Sequence, residues 1–147
     1  MRFFLLLILV TFVPSQLFSF ETKAPYAYLF DCNTGEAIYE KNIDAVVYPS
    51  SMTKIMTLYV IFDLLGQGKI SLNDEMVISA EASRTPGTKM FLKIGQKVTL
   101  EDLIKGIAVV SGNDASRAVA ENISYSEENF AELMTNKAKE IGMKNSQ

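Results

Sequence analysis

The chain of 147 residues has no histidine, no tryptophan and a single cysteine, Cys32. Without histidine there is no Ser-His-Asp or Cys-His catalytic arrangement and no His-ligated zinc site. With one cysteine there is no internal disulfide and no multi-cysteine metal site. An excess of basic residues is missing too. Fourteen Lys and Arg against seventeen Asp and Glu give a formal charge of −3. That balance lacks the basic footprint of a nucleic-acid binder. Hydrophobic residues at 48% and charged residues at 21% describe a globular chain, not a disordered one. Repeats, low-complexity tracts and Pro/Ser-rich linkers are absent. The length fits one domain or a piece of one.

The N-terminus reads as a targeting segment. Met1-Arg2 supplies a short positive region. Phe3 to Val13 is apolar apart from Thr11, and Pro14 ends the run. That stretch is short of the roughly 20 residues that span a bilayer, but it suits a secretory core. Cleavage is expected after Ser19, with Ser15 as the competing site. No lipobox cysteine follows the apolar run, so a lipoprotein anchor is not expected. The organisation expected is therefore a signal peptide over 1–19 and a domain portion over 20–147. The product would work outside the cytoplasm, in the periplasm or cell envelope.

Along the remainder, Ala24 to Asp31 is aromatic-rich and strand-like, and Asn33-Thr34-Gly35 signals a turn. Glu36 to Glu40 reads as a second strand, so a hairpin is predicted. Tyr48-Pro49-Ser50 breaks the chain. Ser51 to Leu65 is a helix candidate stopped by Gly66 and Gly68. Its apolar residues lie nearly all round, which predicts burial on every side. Residues 69–97 are mixed. Thr99 to Asp102 resembles a helix start with acids at the favourable end, and Leu103 to Val110 continues it. Ser111 to Asp114 is read as a break. Further helices are expected near Ala115–Ile123 and Glu127–Ile141. A lone hairpin leaves sheet uncovered, so the domain reads as incomplete. Cys32, beside the hairpin turn, is expected as a small buried hydrophobe.

The candidate chemistry rests on serine and lysine. A serine nucleophile without histidine needs another base. Lysine serves when burial or nearby positive charge favours its neutral amine. Ser51-Met52-Thr53-Lys54 places a hydroxyl and an amine three positions apart, on one helix face. Ser51 at a helix start would also meet unpaired N–H groups. Taken alone, these four residues favour a plainer reading: Ser50 or Ser51 is an N-cap and Lys54 is solvated. Ser111-Gly112-Asn113 is a second candidate. Its hydroxyl can relay protons, and its amide can both donate and accept. Alone, it too favours a plainer reading, with Asn113 or Asp114 capping the next helix.

The wider segments change that balance. Tyr48 to Thr57, running into Tyr59-Val60, resembles the active-site helix of the serine-type D-alanyl-D-alanine carboxypeptidases, the low-molecular-mass penicillin-binding proteins. Val110 to Ala115 resembles their second motif, and the 60 residues separating Ser51 from Ser111 suit the family. Similar stretches occur at Asp31–Asn42, Lys89–Gly95 and Ile141–Asn145.

The resemblance implies an α/β serine β-lactamase/transpeptidase-like fold, an antiparallel sheet flanked by helices and incomplete at its C-terminus. It implies Ser51 as nucleophile, Lys54 as general base, Ser111 as proton relay and Asn113 as a substrate-binding residue that also holds Lys54. The implied reaction removes the terminal D-alanine from a peptidoglycan stem pentapeptide. β-Lactam antibiotics would be covalent inhibitors. No cofactor, metal or nucleic acid is implied.

The family's third motif, K-T-G, has no counterpart here. The expectation is thus a portion of a longer enzyme, inactive by itself, with membrane anchoring only through a missing C-terminal segment. Two alternatives stand beside it. One is a class A-like β-lactamase, although Gly112 stands where those enzymes usually carry Asp. The other is a non-catalytic, truncated protein that binds cell-wall peptide or β-lactam.

Overall fold

The computed structural model describes residues 20–147; the leader expected over 1–19 lies outside the described residues. The chain divides into two units, the first ending at Val47 and the second running from Tyr48 to Gln147.

In the first unit, β1 (Ala27–Phe30) and β2 (Ala37–Lys41) form an antiparallel hairpin. Asp31 builds its turn: its carboxylate accepts from Asn33 N at 2.7 Å and its carbonyl from Gly35 N at 2.7 Å. Gly35 has φ +73°, a backbone shape that glycine adopts without a Cβ penalty. Lys41 Nζ donates to Thr22 O at 2.8 Å, and Phe20 packs edge-on to Tyr39, so the preceding segment is tied to the hairpin. Tyr28, Leu29, Phe30 and Ile38 are exposed. Cys32 is exposed as well, contrary to the burial expected of it, because the turn it occupies projects from the strand pair.

The second unit is mostly helical. A 3₁₀ turn (Ser50–Met52) leads into α1 (Thr53–Gly66). A small antiparallel sheet follows from β3 (Glu75–Val77) and β4 (Lys97–Thr99), with α2 (Ala80–Arg84) between them. Then come α3 (Leu100–Val110), α4 (Asn113–Ser124) and α5 (Glu127–Glu140). Three helices have side-chain N-caps: Ser79 accepts from Ala82 N, Thr99 from Asp102 N and Ser126 from Asn129 N. Each satisfies an N–H that the helix itself leaves unpaired.

The core joins Ile61 of α1, Met76 and Ile78 from the β3 region, Leu103 and Ile107 of α3, and Ala115 and Val119 of α4. A smaller cluster of Val60, Ala120 and Phe130 fastens α5. Lys137 adds a polar tie, donating to Asp63 at 2.8 Å and Glu140 at 2.7 Å. Its pKa is pushed up by the Asp63 hydrogen bond first and by Glu140 second. Asp63 is correspondingly lowered, chiefly by Lys137.

Two expectations are corrected here. Helix α1 is not buried all round. Thr57, Val60 and Ile61 are buried, whereas Ile55 is 70% and Phe62 54% exposed, because the described helices cover only one of its sides. The Ser111–Asp114 break is also narrower than expected. Ser111 takes a left-handed backbone with φ +54°, which turns the chain within one residue. Gly112 N–H then closes onto Gly106 O at 3.0 Å, so α4 begins at Asn113. Among the described residues, no helix is long and apolar enough to cross a membrane.

Candidate active site

The start of α1 and the α3–α4 junction converge. Lys54, in the first turn of α1, is half-buried and donates from Nζ to Asn113 Oδ1 at 2.6 Å. Asn113 is the first residue of α4, and 59 positions separate the pair. At that length the contact is a short hydrogen bond. The Asn113 amide is fixed from its other end, because Nδ2 donates to Pro86 O at 2.8 Å. Its backbone N donates to Thr88 O at 2.7 Å. Its oxygen thus accepts from lysine while its nitrogen serves the 85–88 loop, and this orientation is dictated by the two partners.

Ser51 lies exposed in the 3₁₀ turn that precedes α1. The residue before it, Ser50, has φ +51°. Neither serine caps a helix: α1 has Met52 at its N-cap position and the 3₁₀ turn has Pro49, both without a side-chain cap bond. Asn113 and Asp114 are likewise inside α4, and Gly112 occupies the N-cap. The plainer capping readings of both motifs are therefore replaced by other geometry. Ser111 is half-buried at the left-handed end of α3. Positive φ at a non-glycine residue is uncommon, and it occurs here beside or within both motifs. Among the described residues, the side-chain hydrogen bonds join Lys54 to Asn113 but do not join Ser51 or Ser111 to either.

A cleft of about 370 Å³ opens beside this pair, lined by Lys54, Thr57, Pro86, Asn113, Arg117 and Met134. Arg117 is engaged by Glu121 at 3.0 Å and Glu127 at 3.5 Å. The Glu121 hydrogen bond raises its pKa above the ordinary arginine value. A larger groove of about 500 Å³ runs along α1 and α5 past Met52, Ile55, Tyr59 and Ile141. It is apolar and holds neither Lys54 nor Asn113, and neither Ser51 nor Ser111 lines either cavity.

The residues that hold this arrangement have roles the sequence did not indicate, Asp114 having been expected only as a candidate helix cap. Asp114 is completely buried and accepts three backbone N–H bonds, from Met90, Leu92 and Ala115. Gly87 has φ +89°, and a Cβ there would stand 2.6 Å from Asn113 Nδ2. Gly106 abuts the Met90 side chain, with a Cβ position 1.8 Å from its sulfur. The sequence signals for this loop are the turn-forming Thr85-Pro86-Gly87 and the family-like stretch Lys89–Gly95.

Comparison with known proteins places the chain in a family. Residues 11–147 match the peptidase S11 family, described as D-alanyl-D-alanine carboxypeptidase. The chain is 42% identical over 147 residues to the D-alanyl-D-alanine carboxypeptidase DacF of Bacillus subtilis, covering 95% of this chain and 38% of that protein. Over 123 residues it is 40% identical to DacC of Escherichia coli, covering 80% of this chain and 31% of that one. In three dimensions it is similar to the carboxypeptidase DacD of Francisella tularensis, with a TM-score of 0.82 and 42% identity over 86% of this chain and 30% of that one. Penicillin binding protein 5 of Haemophilus influenzae gives the same TM-score at 40% identity, with 86% and 38% covered. The chain thus spans about a third of the length of these relatives. Matched over nearly its whole length in sequence and sharing their fold, the chain belongs to the D-alanyl-D-alanine carboxypeptidase family of S11 peptidases.

Proposed function

We propose that this chain carries the acylating half of a serine-type D-alanyl-D-alanine carboxypeptidase site. The observation that carries the reading is the 2.6 Å bond from Lys54 Nζ to Asn113 Oδ1, which joins the two motifs within one unit. Lys54, held by its bond to Asn113, is the base that takes the Ser51 proton. Ser51 Oγ then attacks the carbonyl carbon between the two D-alanines. Its proton passes to Lys54, and the C–N bond breaks as Ser111 relays a proton to the leaving D-alanine nitrogen. Water hydrolyses the resulting ester and restores Ser51. Asn113 hydrogen-bonds the substrate peptide, and the backbone N–H of Ser51 is one donor to the oxyanion.

Peptidoglycan stem peptide is the substrate class, and the site of action is outside the cytoplasm. A β-lactam ring opens at Ser51 in the same way and leaves a stable ester. The second oxyanion donor and the K-T-G strand are not among these residues. Losing one oxyanion donor lowers rate by about 10²–10³. Residues 20–147 on their own are therefore expected to be inactive.

Intact-mass spectrometry tests the reading, using protein expressed from its own gene with and without benzylpenicillin. A penicilloyl adduct that maps to Ser51 and vanishes in Ser51→Ala supports it. An adduct elsewhere, or none, overturns it. Rapid loss of the adduct, with little turnover of stem peptide, would favour the β-lactamase alternative instead.

A further inference from the structure

Asp114 is the one completely buried acid of the second unit, and the proposed reaction does not use it. Among the described residues no lysine or arginine pairs with it. Its partners are all backbone amides: Oδ1 accepts from Met90 N at 2.9 Å and Ala115 N at 2.9 Å, and Oδ2 accepts from Leu92 N at 3.1 Å. Two of these donors flank Phe91. That residue sits at φ +60° and is 82% exposed. A bulky residue does not choose a left-handed backbone, and it gains little from packing when it is so exposed. The two bonds to one carboxyl group define the backbone on both sides of it. Ser83 Oγ adds a third restraint by donating to Leu92 O at 2.7 Å.

The same loop meets the candidate site four residues earlier. Pro86 O and Thr88 O accept from the side chain and backbone of Asn113. Asn113 and Asp114 therefore stitch the segment 86–92 to the first turn of α4 at both of its ends. The Pro86 bond is what turns the Asn113 oxygen toward Lys54. We infer that Asp114 is a positioning residue for the acylation reaction. By clamping the amides of Met90 and Leu92 it holds the 86–92 loop, and the loop orients Asn113 against Lys54. This rests on the functional reading above. A misplacement of about 1 Å at a reacting group is worth up to about 10²-fold in rate, so a clamp remote from substrate has a measurable effect on chemistry.

The test is acylation by a fluorescent penicillin, followed rapidly, with the protein expressed from its own gene. It reads two quantities, the rate constant and the final amplitude. Asp114→Asn keeps the shape but turns an NH₂ toward one of the two loop amides, so only one of the pair stays bonded. The expected result is near-full amplitude with a rate constant ten- to hundredfold lower. A purely structural Asp114 gives the opposite: wild-type rate constant in a smaller folded fraction, and that overturns the inference. Phe91→Gly in the Asp114→Asn background supplies the rescue. Glycine accepts φ +60° without strain, so the loop regains its path and the rate constant recovers at least threefold. No recovery means the loop is not the intermediary, and the inference fails.

Should Asp114→Asn not accumulate, Ser83→Ala frees Leu92 O on the same loop, and a smaller rate loss of a few-fold is expected from it. Hydrogen exchange over residues 86–92 reads the clamp without any chemistry. At least tenfold faster exchange in Asp114→Asn is expected, and unchanged exchange refutes the clamp. A wild-type protein that takes up no penicillin defeats the functional reading, and the exchange data alone then decide whether the clamp exists.

Discussion

Replacing Gly106 by alanine tests the packing behind the site most sharply. Gly106 lies inside α3, so its backbone is helical and alanine by itself would help. Exchanging Gly for Ala in a helix interior gains about 1 kcal/mol from propensity. Against this, the new Cβ would lie 1.8 Å from Met90 Sδ, 2.6 Å from Met90 Cγ and 2.8 Å from Met90 Cε. Comfortable contact between such atoms is about 3.5–4.0 Å. The Met90 side chain must therefore move by about 2 Å. The Met90 backbone cannot follow freely, because Met90 N is bonded to Asp114, and the 2.6 Å contact falls on Cγ and not only on the mobile end of the side chain. Overpacking of this kind costs about 1–3 kcal/mol, so the net change is a loss of about 0–2 kcal/mol.

Thermal unfolding of the protein expressed from its own gene should fall by about 2–4 °C per kcal/mol lost. Met90→Ala is the informative partner. With Sδ and Cε gone, the alanine at 106 fits, and its propensity gain is realised. Gly106→Ala should therefore stabilise in the Met90→Ala background while it is neutral or destabilising in the wild type. The resulting coupling between the two sites is at least about 1 kcal/mol, well beyond the additivity expected of independent positions. Additive effects would refute the reasoning, as would a clear gain in stability from Gly106→Ala alone.

Asn113→Ala removes the acceptor of Lys54 and the donor to Pro86 O; penicillin acylation should drop by about 10²-fold, read by the same adduct assay, and a rate within twofold of wild type would deny Asn113 its role. Gly87→Ala combines φ +89° with a 2.6 Å clash against Asn113 Nδ2, so it should lower both stability and acylation rate; a wild-type rate would show the 86–88 turn to be free of Asn113. The Asp63–Lys137 bridge gives a pH signature. Asp63 has its pKa lowered from an ordinary 3.8, so its stabilising share is present above that value and is lost as pH falls through the lowered one. Lys137 is raised from 10.5, so its share is complete below 10.5 and is lost only above. Asp63→Asn should therefore narrow the difference in unfolding midpoint between pH 3 and pH 7, and an unchanged difference would remove the bridge from the account.

Much of the local structure was legible in sequence, for identifiable reasons. The hairpin announced itself through an aromatic-rich run and a second strand-like run flanking Asn33-Thr34-Gly35, and it formed as β1 and β2 with bounds within three residues of those expected. The start of α3 near Thr99 followed from Glu101-Asp102, acids placed to favour the helix dipole, and the structure adds Thr99 as a cap that accepts from Asp102 N. The β3–β4 pair was not legible. Each strand is only three residues long, too short for any period, and their pairing joins Glu75 to Thr99 across a helix and a loop. Helix α1 was misjudged for a different reason. An apolar run shows that a side chain favours burial but not whether a partner lies against it, and Ile55 and Phe62 have none among the described residues.

The site shows the same division between residue type and placement. Serine, lysine and asparagine at 51, 54, 111 and 113 were visible as chemistry, because hydroxyl, amine and amide are properties of the residue. The partners that aim them are mostly backbone groups. Pro86 and Thr88 contribute only their carbonyls, and Met90 and Leu92 contribute amides to Asp114. Every residue carries a carbonyl, and every residue but proline an amide, so no composition or spacing marks the ones that matter. What does mark them is the residue on the other end. A buried acid without a cationic partner must take its hydrogen bonds from somewhere, and in a sequence whose acids mostly open helices or lie in turns, Asp114 follows Asn113 directly. The physically informative feature of the second motif is therefore the pairing of Asn113 with Asp114: one side chain reaches toward Lys54 and the next reaches back to hold the loop that steers it.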